Sequence, residues 1–319
     1  MLKIVFVNAL KILVAGSLIF WLVTSGKLDF RLLAELRRYP LSVLAGVILS
    51  ILNLGLISFR WETILRARSQ VTLPIAGLVK ITWIGQFFSS VLPGSVSGDL
   101  VKILYVQKFD RTFSKRFVFA SILIDRVMGL SGLILLVGIS SLIFGERINA
   151  NAPAMAPLLK VNYVLTGLVI AAYSVFFFFH GVIRAALRRL EAVAVPTLFQ
   201  KVGDLWDDLV LIRSKMAAAV ALSVVVQFIG VVVFWFLVHP FVGERMTFVQ
   251  ALAFIPVGFM TLALPIAPSG LGVGHAIFQK LFELSGIANG ASLFNVYFVV
   301  TLAVNIFGVI PYLTTQARE

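Results

Sequence analysis

The sequence predicts an all-α polytopic membrane protein, and three observations carry that prediction. Of 319 residues, 60% are hydrophobic and only 13% charged, where a soluble domain is nearer half apolar and a quarter charged. Mean hydropathy is +1.02 over the whole length. The apolar runs last about 18 to 28 residues, the length of a transmembrane helix, and lack the short alternation of barrel strands. A soluble enzyme, a disordered chain and a nucleic-acid module are excluded together.

The charges speak for topology. Lys and Arg number 27 against 14 Asp and Glu, a net +13, and the excess lies in loops between apolar runs. That distribution suits anionic lipid headgroups, with no nucleic-acid partner. No polar stretch is long enough for an extramembrane domain, so residues 1–319 read as a single integral-membrane domain. Cysteine is absent, which removes disulfides and thiolate metal sites; no cofactor or metal is expected.

About eight hydrophobic segments follow in order. Ile4 to Val23 is too long for a signal peptide, lacks a small-residue cleavage site, and reads as a retained span. Leu41 to Phe59 opens after Pro40 and closes on Arg60-Trp61, a cation beside an interfacial aromatic. Phe117 to Phe144, Val161 to Phe179, Met216 to Val238 and Leu293 to Leu313 complete six full spans. Two further runs are broken. Ile75 to Leu92 runs into the Pro93–Asp99 stretch and resumes as Leu100 to Phe109; Phe248 to Leu264 runs into Pro265–His275 and resumes as Ala276 to Leu284. Backbone freed from helix at membrane depth must be buried in protein or face water. A pair of interrupted segments is a sequence pointer to a transport-type site.

Positive charge orients these elements. Lys102 to Arg116 and Arg184 to Lys215 hold eleven of the 27 basic residues, so both loops are expected in the cytoplasm. With Arg60, Arg66 and Arg68 also there, residues 75–109 enter and leave on one side, a re-entrant hairpin. By parity, residues 248–284 dip from the opposite face, and both termini are cytoplasmic. The loop from Gly26 to Tyr39 holds Lys27, Arg31, Arg37 and Arg38 and runs against this plan. Placing that loop inside makes Ile75 to Leu92 a true crossing instead. The polar connection 181–215 reads as a cytoplasmic amphipathic segment, with Arg184 and Arg188 one turn apart and a second helix after Pro196.

Several residues are candidates for chemistry. Asp99 opens a half-helix, where a carboxylate either caps free N–H groups or serves a site. Lys102 lies one turn on, placed to pair with Asp99, meet a phosphate or remain a solvated cation. Asp125 and Arg126 fall within an apolar segment, where charge either faces a cavity or snorkels. Adjacent helix positions diverge by about 100°, so the two are expected to meet different partners. Ser269, Gly270, Gly272 and Gly274 precede a half-helix whose N–H groups suit an anion; close helix packing explains the same glycines. His275 titrates near neutral pH or is structural. Asp204, Asp207 and Asp208 look like a solvated surface cluster with Lys201 and Arg213 as salt partners. No metalloprotease, P-loop, kinase or nucleophile-elbow motif is present, so no catalytic residue is assigned.

Arg60-Trp61, Ser89 to Asp99, Asp125-Arg126 with Gly129, and Pro268 to Gly274 recur in an order that resembles a known family. It is the flippase-like transmembrane domain of lysylphosphatidylglycerol synthases, here without the aminoacyl-transferase domain. The resemblance covers essentially the whole chain. It departs where Ser97-Gly98-Asp99 and Lys102 replace a Gly-Gly-Asp with a following Arg, and where His275 takes the place of a glutamate. It implies a multi-pass inner-membrane protein that binds a phosphate-bearing polar lipid or lipid-linked precursor and moves it across the bilayer. Anionic membrane lipids and a lipid-modifying enzyme are the partners it suggests. An integral-membrane transferase or hydrolase on a lipid-linked substrate, or a scaffold for such an enzyme, are the alternatives.

Overall fold

The computed structural model describes residues 35–69, 73–91, 97–107, 113–151, 153–193, 196–263, 273–287 and 289–315. The expected first span, Ile4 to Val23, lies outside them, as do Ser269, Gly270 and Gly272. Ten α-helices and two short 3₁₀ turns make up the described regular structure, with no strand. In chain order they are α1 (Pro40–Leu65), α2 (Ile75–Val91), α3 (Ser97–Val106), α4 (Lys115–Asn151) and α5 (Ala156–Val193). Then follow α6 (Pro196–Val242), α7 (Phe248–Leu262), α8 (Val273–Leu284), α9 (Gly290–Ile306) and α10 (Val309–Thr314).

Five described stretches are long and apolar enough to cross a membrane: Pro40–Leu65, Lys115–Ala150, Pro153–Leu190, Gln200–Arg245 and Gly290–Thr314. Each contains one of the five remaining expected spans, so the fold is an all-α polytopic membrane protein. The helices overrun the apolar cores read from the sequence. α1 does not close at Phe59 but continues to Leu65, and Trp61 is buried rather than interfacial. The segment 181–215 holds no separate interfacial helix. α5 carries its apolar span through Arg184 and Arg188 to Val193, and α6 runs unbroken from Pro196 into the next span.

Both broken segments fold as helix pairs, α2 with α3 and α7 with α8. α7 starts on a capping box, with Thr247 and Gln250 satisfying each other's backbone N–H groups. α8 stops on paired bonds from Ile287 N to Phe282 O and from Gly286 N to Glu283 O, both 2.9 Å. This closure needs a left-handed residue, and Gly286 supplies it at φ 73°. α4 and α6 form the centre, with α1, α7 and α5 packed on them and α9 against α8, α6, α1 and α2. The aromatic core gathers Phe234, Phe278, Phe282 and Phe294, all fully buried.

An ion-pair layer ties one end of the bundle. Arg68, just past α1, reaches Asp208 of α6 at 3.0 Å, and Arg116, at the start of α4, reaches the same carboxylate at 3.7 Å. Arg116 also pairs with Asp204, and Arg184 of α5 with Asp207 at 2.9 Å. Lys201 and Arg213, the partners expected from sequence, are not those used. Arg213 turns instead to the His180 ring at 3.4 Å and to the face of Phe177. The aspartates therefore point to different arginines from three other helices or their flanks. Arg68, before the α2–α3 pair, and Arg116, after it, thus meet on one carboxylate.

Asp208 is 5% exposed in its side chain, Asp207 53%. Exposed pairs contribute little, whereas a buried shared carboxylate leaves its partners unmatched when removed. Both arginines of Asp208 keep access to solvent, which moderates the loss. Asp208→Ala is thus expected to cost roughly 1–3 kcal/mol, and Asp207→Ala within about 0.5 kcal/mol. Thermal melting in detergent measures both; equal melting of the two variants would contradict the layer as drawn.

Candidate functional site

Arg60, on the extension of α1, lies among buried side chains and is 5% exposed. Its guanidinium grips Asp125 of α4 as a fork, Nε to Oδ1 at 2.7 Å and Nη2 to Oδ2 at 3.0 Å. Nη1 donates to Ser223 Oγ of α6 at 3.1 Å, and that hydroxyl donates onward to Ala219 O. Three helices are joined by one cation. Sequence reading placed Arg60 at the interface; the structure places it inside, because the fork neutralises it where water does not reach. The apolar run ended at Phe59, which hid the continuation. A buried Arg beside Trp61 in a recurring motif was the available signal.

Arg126, the next residue after Asp125, points elsewhere. Its Nε and Nη2 both lie 2.6 Å from Asp99 Oδ2 on α3. Lys102, one turn along α3, holds Asp99 Oδ1 at 3.8 Å and lies over the Trp61 ring at 5.4 Å. Trp61 is fixed in turn by its Nε1–H on Ser121 Oγ at 3.1 Å. The expectation that Asp125 and Arg126 meet different partners matches this geometry.

Depth decides what these charges can do. Ten residues separate Arg116 in the end layer from Arg126 on the same helix, about 15 Å at 1.5 Å per residue. The two ion pairs therefore lie well inside the bundle, with Arg60, Asp99, Lys102 and Asp125 buried, where charge must be matched by protein or ligand.

They line one cavity of about 790 Å³. Its lining includes Arg60, Asp99, Lys102, Asp125 and Arg126, together with the apolar Phe259, Leu262, Phe294 and Phe298. Asn53, Gln86 and Gln227 add amides to the wall. Gln227 donates to Gly129 O at 3.0 Å, but Asn53 Oδ1 is buried with no hydrogen-bond partner. The charged lining sums to three cations less two carboxylates, 3 − 2 = +1. Arg60, Asn53 and Gln227 were not foreseen as site residues.

One close backbone approach, at Gly98, places a charged side chain in the cavity. A Cβ on Gly98 would lie 2.0 Å from Gly85 O and 2.3 Å from Ser89 Oγ, so α3 rests directly on α2 and delivers Asp99 inward. In the other broken segment, Gly274 belongs to the first turn of α8, and a Cβ there would lie 2.6 Å from the Phe294 ring. Its smallness serves packing against α9. His275 meets Asn295 Oδ1 at 3.3 Å and the edge of Phe294. Neither Gly274 nor His275 lines the charged cavity, so the structure unites Asp99, Lys102, Asp125 and Arg126 and leaves these two apart.

The comparisons with known proteins agree with this architecture. The sequence profile of the family described as "Lysylphosphatidylglycerol synthase TM region" matches residues 8–311. The chain is similar to the UPF0104 membrane protein PH1989 of Pyrococcus horikoshii, 19% identical over 263 residues that cover 77% of each protein. No solved structure matches the chain significantly.

The Arg60–Asp125 fork is buried, and breaking one side of such a pair costs roughly 3–5 kcal/mol. Asp125→Ala is expected to lose about that much stability, and the double variant Arg60→Met with Asp125→Leu to recover most of it. Melting curves of the parent, single and double variants decide; a double variant no more stable than the single would show that the fork is not the frame.

Proposed function

The chain belongs to the family of lysylphosphatidylglycerol synthase transmembrane regions, and from that premise we propose that it binds a phosphate-bearing polar lipid in the central cavity and carries its headgroup across the bilayer. The carrying observation is the charge of the cavity: among the described residues, three cations against two carboxylates, held inside the bundle. A net positive charge there is costly until an anion joins it, and a lipid phosphodiester supplies one negative charge. Hydroxyls on the headgroup complete the match, since Asn53 Oδ1 is an acceptor without a donor.

Roles divide between the two pairs. Arg60 and Asp125, locked to each other and to Ser223, hold the frame. Arg126 and Lys102 both reach the carboxylate of Asp99. They are the proposed phosphate ligands. A transferase or hydrolase reading finds less support, because Asp204, Asp207 and Asp208 are engaged by arginines.

The proposed topology follows the same charges. We place the end layer of Arg68, Arg116 and Arg184 at the cytoplasmic face of the inner membrane, with both termini on that side. The shared hold of Arg68 and Arg116 on Asp208 supports α2–α3 as a re-entrant pair dipping from the cytoplasm. By the inverse plan α7–α8 dips from the outer face.

Liposomes carrying fluorescent phosphatidylglycerol and an impermeant reductant test the function. The parent protein is expected to expose inner-leaflet probe to the reductant, and Arg126→Ala or Lys102→Ala to abolish that exposure while melting near the parent. Unchanged exposure in both variants would contradict the assigned ligands. For topology, the cysteine-free sequence permits single cysteines at Ser114 and Ser214, expected to resist an impermeant thiol reagent in intact cells. Labelling of either from outside would reverse the orientation.

A further inference from the structure

The Asp99–Arg126 pair stands in an unusual place for an ion pair that lines a buried cavity. On α4, Phe119, Leu123, Val127 and Leu130 recur at helical spacing and are 39–55% exposed, forming an outer apolar face that suits lipid. Arg126 belongs to that face, with its side chain 39% exposed, whereas Asp125 turns inward. On α3, Leu100 and Leu104 are likewise exposed, at 57% and 60%. The two faces flank a seam, and α3 and α4 touch along it. Val127 and Leu130 face outward and also line the central cavity, so the cavity reaches the lipid side at this seam. The bond from Arg126 to Asp99, 2.6 Å long, bridges it.

Resting on the phosphate-lipid reading above, we propose that this seam is the lateral entrance, that the Asp99–Arg126 pair is its latch, and that a phospholipid opens it by exchange. The exchange is of like for like. Asp99 presents a monoanionic oxygen acid to Arg126 and Lys102; a phosphodiester presents the same charge with the same oxygen acceptors. The phosphate takes the carboxylate's place on Arg126, Asp99 keeps Lys102, its neighbour on α3, α3 parts from α4, and the acyl chains remain outside along the leucines of the two faces. No chain need cross a polar cavity. Each cation keeps an anion throughout, Arg126 the phosphate and Lys102 the Asp99 carboxylate, which is what makes entry accessible. Asp99 is on this account a positioning residue: it holds the cations and keeps the entrance shut when no phosphate is bound.

Spin labels test the latch directly, since the chain has no native cysteine. Nitroxides at Leu104→Cys and Phe119→Cys, both on the exposed faces, report the α3–α4 separation by pulsed dipolar spectroscopy. In nanodiscs of digalactosyldiacylglycerol, which has no phosphate, the short-distance population is expected to dominate. Adding phosphatidylglycerol to the discs shifts it to longer distances, and adding inorganic phosphate instead does not. Asp99→Asn is expected to show the longer distances without any phospholipid, and Asp99→Glu to stay closed; melting of both variants confirms that they are folded. A distribution unmoved by phosphatidylglycerol overturns the latch, as does Asp99→Asn that remains closed. A shift produced equally by inorganic phosphate would replace a lipid entrance with a small-anion site. If translocation in liposomes still depends on Arg126 while the labels do not move, the latch alone fails. If liposome exposure is also absent, the function reading fails with it.

Discussion

Charge buried inside the helical bundle is the constraint on which the rest of this structure depends. About 15 Å of helix separates Asp125 and Arg126 from the end layer at Arg116. Inside the bundle every charge must find a partner in protein or ligand. The Arg60–Asp125 fork answers with two parallel bonds and a third to Ser223, joining α1, α4 and α6. Removing water makes such a fork strong and makes its loss severe, so the three helices are held in one arrangement. The remaining cations, Arg126 and Lys102, both meet Asp99. Among the described residues the cavity thus gathers three cations and two carboxylates, the balance on which the proposed anion site rests.

The broken helices serve this constraint by delivering side chains that a full span would misplace. α3 opens with Asp99 three positions before Lys102, so both project toward Arg126 and Trp61 from one turn. Gly98 lets α3 rest on the α2 backbone, an approach no larger residue permits. At the bundle's end, Asp208 receives Arg68 and Arg116 from either side of the α2–α3 pair. The pair is therefore held by ions on its flanks and by the contacts of Asp99 and Lys102 in the cavity. A helix interior of Leu and Phe alone would pack as well but would hold no charge in place.

Much of the fold was legible because hydrocarbon imposes its length on the sequence: five apolar runs locate five long helices. Their ends were not, since a paired charge no longer terminates a span. Arg60 seemed to close α1, yet its partner lies 65 residues away on another helix, and spacing in sequence gives no sign of that meeting. The same reason separates Arg213 from the aspartates that seemed to be its neighbours. Within the site, Asp99, Lys102, Asp125 and Arg126 could be named from intramembrane charge and a helix break. The divergence of Asp125 and Arg126 followed from helical geometry alone. Asn53 and Gln227 could not be named, because an amide in an apolar run shows its role only when its neighbours in space are known. Gly274 carried an ambiguous signal, and its contact with Phe294 favours packing at that position.

The central claim is that the cavity's one uncompensated positive charge selects a lipid phosphate. Native mass spectrometry of the protein released from detergent, after exposure to phosphatidylglycerol and to diacylglycerol of the same chains, tests it most directly. The account predicts retention of phosphatidylglycerol by the parent, loss of that retention in the double variant Lys102→Ala with Arg126→Ala, and little diacylglycerol on either. Equal retention of the two lipids by the parent protein would contradict it.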